Sequence, residues 1–243
     1  KIIEPTPSRD HTEKMLADMG IPLTIKDQVI TVGQGKLKAK NVFVPSDISS
    51  AAYWAVAAAA HSDSKITING VGVNPTRTGI LEILNRMNAK ISLNNQRKEG
   101  VEEVADIIVE SSDLVATEIE GDIIPRLIDE LPVLAVAACY ARGTTVIRDA
   151  SELRVKESDR IKAMVSQLKR MGGNIEETAD GMVIHGPVTL NGATCRSFGD
   201  HRVAMSLAIA GMLAQGDTTI LNAECSQISY PGFWDQIYSI SGG

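Results

Sequence analysis

Three stretches of this 243-residue chain share one design: an acidic residue, a helix-length run of small apolar residues, then a short β-branched segment. The copies are residues 47–60 with Lys65-Ile-Thr-Ile68, residues 129–141 with Thr144-Thr-Val-Ile147, and residues 200–214 with Thr218-Thr-Ile-Leu221. A recurring unit of this size cannot bury its apolar face alone and has to stack on its copies. Ala51, Ala52, Ala55 and Ala57 to Ala60 leave the first run apolar nearly all round, which predicts a helix buried among other elements and not laid on a sheet. Asp47, Asp129 and Asp200 are each expected to open their helix, where an acid caps free backbone N–H groups.

A second element alternates with the first. Residues 12–20, 80–88 and 161–172 read as amphipathic helices ending in Met, and Gly20, Asn88 and Gly172 suit the left-handed conformation of a helix C-terminus. Hairpins are expected over residues 21–32, turning near Asp27, and 175–184, turning at Asp180-Gly181. Residues 90–93 read as a strand whose partner the polar residues 94–100 leave open. The fold class is therefore α/β, built of repeated βαβαββ-type units with buried small-residue helices.

A boundary follows. Residues 1–40 are expected to be a truncated last repeat of a preceding lobe plus the basic linker Gly33-Gln-Gly-Lys-Leu-Lys-Ala-Lys40, and residues 41–243 a second lobe of three repeats. The opening Lys1-Ile-Ile-Glu-Pro-Thr-Pro-Ser8 has neither an initiator Met nor a signal-peptide pattern, as expected of a chain that starts inside something longer.

Composition excludes several classes. A net charge of -6 argues against a general nucleic-acid surface, while local cation clusters still permit small anions. No apolar run reaches the roughly 18 residues of a membrane span. Cys139, Cys195 and Cys225 are odd in number and widely spaced, which points to a reducing, cytoplasmic setting. The histidines at 11, 61, 185 and 201 lack metal-ligand spacing, so no metal is expected. No Gly-rich phosphate loop precedes a Lys-Ser or Lys-Thr pair.

The densest polar run is Arg154-Val-Lys-Glu-Ser-Asp-Arg-Ile161, which leads into the helical apolar pattern Ile161, Met164, Val165, Leu168, Met171. The helix is expected to begin inside this run. Lys156 and Glu157, four and three residues before Arg160, would then share one side of its first turn. That gathers cations and a carboxylate where helix N–H groups favour anions. A capped surface helix with ordinary ion pairs uses the same residue types. What favours a site is that Asp129, the Lys156-Glu157-Arg160 cluster and Asp200-His201-Arg202 occupy equivalent element ends in three repeats.

These segments, together with Ser8-Arg-Asp-His-Thr-Glu-Lys-Met-Leu16, Pro45-Ser-Asp-Ile-Ser-Ser-Ala51 and Ser197-Phe-Gly-Asp-His-Arg-Val-Ala-Met205, resemble the signature segments of the 5-enolpyruvylshikimate-3-phosphate synthase family over essentially the whole chain. The resemblance implies a two-lobed enzyme that moves the enolpyruvyl group of phosphoenolpyruvate to the 5-hydroxyl of shikimate 3-phosphate in aromatic amino-acid biosynthesis, without a cofactor. It implies that Asp129 holds and deprotonates the hydroxyl, that Lys156, Arg160 and Arg202 bind phosphoenolpyruvate, and that Glu157 protonates its methylene carbon, with Lys156 counted among the catalytic residues beside Asp129 and Glu157. Arg9 resembles the arginine near the shikimate phosphate, and Asp200 and His201 stand as support. The chain carries about half of such a site, so the partner it implies is the missing N-terminal half, and the family's borrowed N-terminal strand would leave a sheet edge open here. Residues 222–231 lack the Lys some members carry there. Two alternatives remain: an isolated, non-catalytic lobe, and a UDP-N-acetylglucosamine enolpyruvyl transferase, whose family lacks the Arg154 to Ile161 run.

Overall fold

The computed structural model describes residues 1–240. Residues 241–243, the end of the expected second unit, lie outside the described residues. The chain opens with β1 (Ile2–Ile3), α1 (His11–Asp18), β2 (Leu23–Lys26) and β3 (Val29–Val32). These strands form an antiparallel sheet in the order β1-β3-β2, and the hairpin turns through Asp27 and Gln28, both at positive φ. Helix α1 buries none of its residues. Residues 33–45 carry no regular secondary structure and lead into the body of the molecule.

The first repeat comprises α2 (Ile48–Ala60), β4 (Lys65–Gly72), α3 (Gly79–Arg86), β5 (Lys90–Glu99) and β6 (Glu102–Glu110). The second comprises β7 (Glu118–Ile119), α4 (Leu131–Tyr140), β8 (Gly143–Ile147), α5 (Arg160–Arg170), β9 (Asn174–Glu177) and β10 (Met182–Gly186). The third, shorter, has β11 (Thr194–Arg196), α6 (His201–Leu213) and β12 (Thr219–Leu221), followed by a 3-10 turn and α7 (Phe233–Ile240). Strand β7 pairs in parallel with β8, and β11 with β12, so each buried helix is the crossover of a βαβ unit. In the first repeat the parallel bridge between Ser46 and Val71 takes that place.

Helices α2, α4 and α6 pack against one another at the centre. Their small residues explain why: Ala52, Ala55 and Ala59, Ala135 to Ala138, and Ala204, Ala208 and Ala210 are buried on every side and let three helices share one core. The sheets β4-β6-β5 and β7-β8-β10-β9 flank this trio, each carrying an amphipathic helix. On α3, Ile80, Leu81, Ile83 and Leu84 face inward, and on α5, Ile161, Met164, Val165 and Leu168 do so. Both helices end as expected, at Asn88 with φ 66° and at Gly172 with φ 90°. Phe233 of α7 closes the third repeat, its ring 5.8, 5.6, 5.4 and 5.2 Å from Tyr53, Trp54, Tyr230 and Trp234. Among the described residues β11 and β12 are hydrogen-bonded into a sheet only with each other.

Three local expectations change. The strand at 90–93 runs on to Glu99 and pairs with β6, the hairpin absorbing its polar residues through a register shift between Asn94 and Arg97 and a turn at Gly100 with φ 63°. Asp47 and Asp200 cap α2 and α6 through backbone N–H groups, but α4 starts at Leu131 after Glu130, and Asp129 caps nothing. Helix α5 begins only at Arg160, capped by Asp159. Lys156 and Glu157 therefore precede the helix and do not share its first turn.

Candidate active site

The N-terminal ends of α2, α4, α5 and α6 meet, because side chains at those ends are bonded to one another. Arg160, the first residue of α5 and only 1% exposed, is the hub. Its Nε donates to Asp200 Oδ2 at 2.9 Å and its Nη1 faces Asp129 Oδ1 at 3.4 Å, while Nη2 donates to Glu157 Oε2. A buried guanidinium is tolerable only with such pairing, since leaving the charge uncompensated costs several kcal/mol. Asp200 in turn accepts from Ser158 Oγ at 2.9 Å and from the Arg202 backbone N–H at 2.9 Å, which locks the α6 terminus to the α5 terminus.

Asp129, freed from capping, points into this cluster with its side chain 15% exposed. Arg9 Nη2 donates to its Oδ2 at 2.6 Å, and Arg202 Nη2 stands 3.6 Å from the same oxygen. Burial opposes its ionisation, but Arg202, Arg9 and Arg160 together outweigh that and hold the carboxyl down at about 2. It is therefore ionised at neutral pH and a weak base while all three guanidiniums surround it. An anionic ligand that draws arginines onto itself raises its basicity. Burial pushes His201 down, with Arg202 adding to the effect, which keeps that ring neutral beside the site.

Thus Arg9, Asp129, Glu157, Arg160, Asp200 and Arg202 come together. Lys156 stands apart in this state, its Nζ bonded to Glu152 on the 3-10 turn of Ser151–Val155. Sequence reasoning missed a second, buried network directly behind Asp129. Glu130 accepts from Ser49 Oγ, which itself accepts from Arg77 Nη2 at 2.6 Å, and Arg77 also stands 3.5 Å from Glu130. Burial raises the Glu130 carboxyl, against the opposing pull of Arg77 and Ser49. The available signal was the Asp129-Glu130 pair ahead of an apolar helix, since adjacent side chains there cannot both face one cleft. Among the described residues no group of three His, Cys, Asp or Glu side chains is placed to hold a metal ion.

This arrangement of buried helices and paired sheets is the fold of an enolpyruvyl transferase. It is shared with the enolpyruvyl transferase NikO from Streptomyces tendae at a TM-score of 0.78 and 19% identity, over 97% of this chain and 53% of that one. Closer in sequence is the EPSP synthase from Acinetobacter baumannii, with a TM-score of 0.91 and 42% identity over 98% of this chain and 56% of that one. The family model for EPSP synthase (3-phosphoshikimate 1-carboxyvinyltransferase) matches residues 1–237, and the chain belongs to that family. Relatives named 3-phosphoshikimate 1-carboxyvinyltransferase include those of Desulforamulus reducens, 51% identical over 98% of this chain and 56% of the relative, and Synechococcus elongatus, 54% identical over 99% and 54%. The chain spans about half the length of the curated relatives it matches.

Proposed function

We propose that this chain provides the Asp129 half of an active site that transfers the enolpyruvyl group of phosphoenolpyruvate to the 5-hydroxyl of shikimate 3-phosphate, releasing phosphate, in aromatic amino-acid biosynthesis. The observation that carries this reading is that two carboxylates, Asp129 and Glu157, stand on one buried guanidinium, that of Arg160, with further arginines at Asp129. Forming the new C–O bond requires the hydroxyl to lose a proton while the methylene carbon gains one, so an acid and a base on either side of one cation suit the reaction. In this reading Asp129 takes the hydroxyl proton and Glu157 delivers one to the methylene carbon. Arg160, Arg202 and Lys156 hold the carboxylate and phosphate of phosphoenolpyruvate, with Lys156 turning away from Glu152, and Arg9 meets the shikimate phosphate. Asp200 and His201 support them.

Residues 41–243 are then the second lobe of the enzyme and residues 1–40 the tail and linker of the first, the rest of which is the partner this chain requires. Free Cys139, Cys195 and Cys225 suit the cytoplasm, and no helix among the described residues is long and apolar enough to cross a membrane.

The test is phosphate release from phosphoenolpyruvate and shikimate 3-phosphate by this chain, alone and mixed with the preceding half of the Desulforamulus reducens relative. Release in the mixture only is expected. No release from a mixture shown to be folded and associated would overturn the reading, and release by the chain alone would overturn its division into halves.

A further inference from the structure

Arg9 approaches Asp129 from a segment with little hold of its own. Residues 5–9 are exposed and α1 buries none of its residues, so packing alone does not fix this long, rotamer-rich side chain. The two residues that follow are anchored, however, and each to a different part of the body. Asp10 Oδ1 accepts from Asn74 Nδ2 at 2.6 Å, and His11 Nδ1 pairs with Glu102 Oε1 at 2.7 Å. Both anchors are themselves buried. Asn74, 2% exposed, has its carbonyl oxygen occupied by the Thr76 backbone N–H at 3.0 Å and hydroxyl at 2.9 Å. Glu102, 8% exposed, stands where β6 leaves the hairpin turn. Three consecutive side chains therefore reach three separate elements: the approach to α4, the loop after β4 and the tip of the β5–β6 hairpin.

We infer that Asp10 and His11 are positioning residues that, through Asn74 and Glu102, seat the Arg9 guanidinium on Asp129. The inference rests on the proposed function for its catalytic meaning, because it assigns to the first repeat the task of placing a cation at the base of the second. Its structural content stands without turnover. Asp10 also pairs with Lys14 one helical turn on, at 3.1 Å, so its carboxylate ties the start of α1 to Asn74. Asn74 and Glu102 lie outside the Arg9 segment, and replacing them leaves every residue of that segment in place.

The experiment uses this chain at pH 7 and reads the order parameter of each arginine Nε–H by 15N relaxation. In the unsubstituted chain Arg9 is expected to be as ordered as buried Arg160. In Asn74→Ala/Glu102→Ala, Arg9 is expected to fall below about 0.6, the range of flexible groups, while Arg160 stays unchanged and reports an intact core. His11→Ala, at a half-exposed position, provides a second variant with the same expected direction should the double variant fail to fold. An Arg9 that stays ordered with its anchors removed, or that is already flexible in the unsubstituted chain, would overturn the inference. Neither result depends on catalysis, so failure here is separable from failure of the proposed reaction.

Discussion

Replacing Asp129 by Asn keeps the shape of the side chain and removes the charge that three guanidiniums share. The fall of its carboxyl from 3.8 to about 2 corresponds, at 1.36 kcal/mol per tenfold change in proton affinity, to a little over 2 kcal/mol. Partial exposure of Arg9 admits solvent screening, which brings the figure to about 2 kcal/mol. The sign is fixed by the depression: the contribution is complete above the unfolded value near 4 and is lost as pH falls through about 2. Urea unfolding of both proteins should therefore show Asp129→Asn less stable by about 2 kcal/mol from pH 7 to pH 5, and by only about 1 kcal/mol near pH 3. Asp200 is also held low, with burial opposed by Arg160 and Ser158, and it titrates in both proteins while sharing Arg160 with Asp129. A gap that stays constant with pH would refute the role of the guanidinium cluster. A substituted chain more stable than the original would show instead that the cluster is strained around its carboxylate.

Other consequences follow from the same geometry. In the two-part enzyme proposed above, Asp129→Asn and Glu157→Gln are each expected to lower kcat by at least about a hundredfold with the fold retained, the loss that the proposed base and acid roles imply, and steady-state kinetics with circular dichroism would check this. Glu130→Ala removes the buried acceptor of Ser49 and leaves Arg77 with only Ser49 and the more distant Asp47, and should cost about 3 kcal/mol in urea unfolding, whereas Glu130→Gln, which keeps an acceptor for Ser49, should cost less. Phe233→Ala removes the ring on which both tryptophans lean. It should cost about 3–5 kcal/mol and shift the Trp54 and Trp234 emission to the red, and unchanged emission would show that α7 does not depend on that contact.

What the sequence revealed of this fold was what repetition and turn chemistry carry. The small-residue runs announced a buried helix trio, and Gly20, Asn88 and Gly172 marked helix ends because few residues accept positive φ without strain. The β5–β6 hairpin was hidden since residues 94–100 are polar and bulged, and alternation, the usual mark of a strand, is lost there. At the site, residue types identified the cluster, but local pattern misplaced its geometry. Asp129 looked like Asp47 and Asp200, and only tertiary structure distinguishes an acid that caps from one that Glu130 displaces by a single position. Lys156 and Glu157 looked like the first turn of a helix whose start Asp159 delays. The buried partnership of Ser49, Arg77 and Glu130 spans two repeats, and no local window contains it.

The hub at Arg160 also has a bearing on how the chain acquires its structure in time. Arg160 joins residues from the second and third repeats, while Arg9 reaches Asp129 across 120 positions of sequence. Hairpins and single helices form in microseconds from neighbouring residues, whereas contacts between distant segments wait on closure of long loops. Secondary structure can thus be complete while the charge cluster does not yet exist. The charge cluster should assemble last in refolding, as the final repeat docks, which makes it a sharper clock for the native state of this chain than any signal from its backbone.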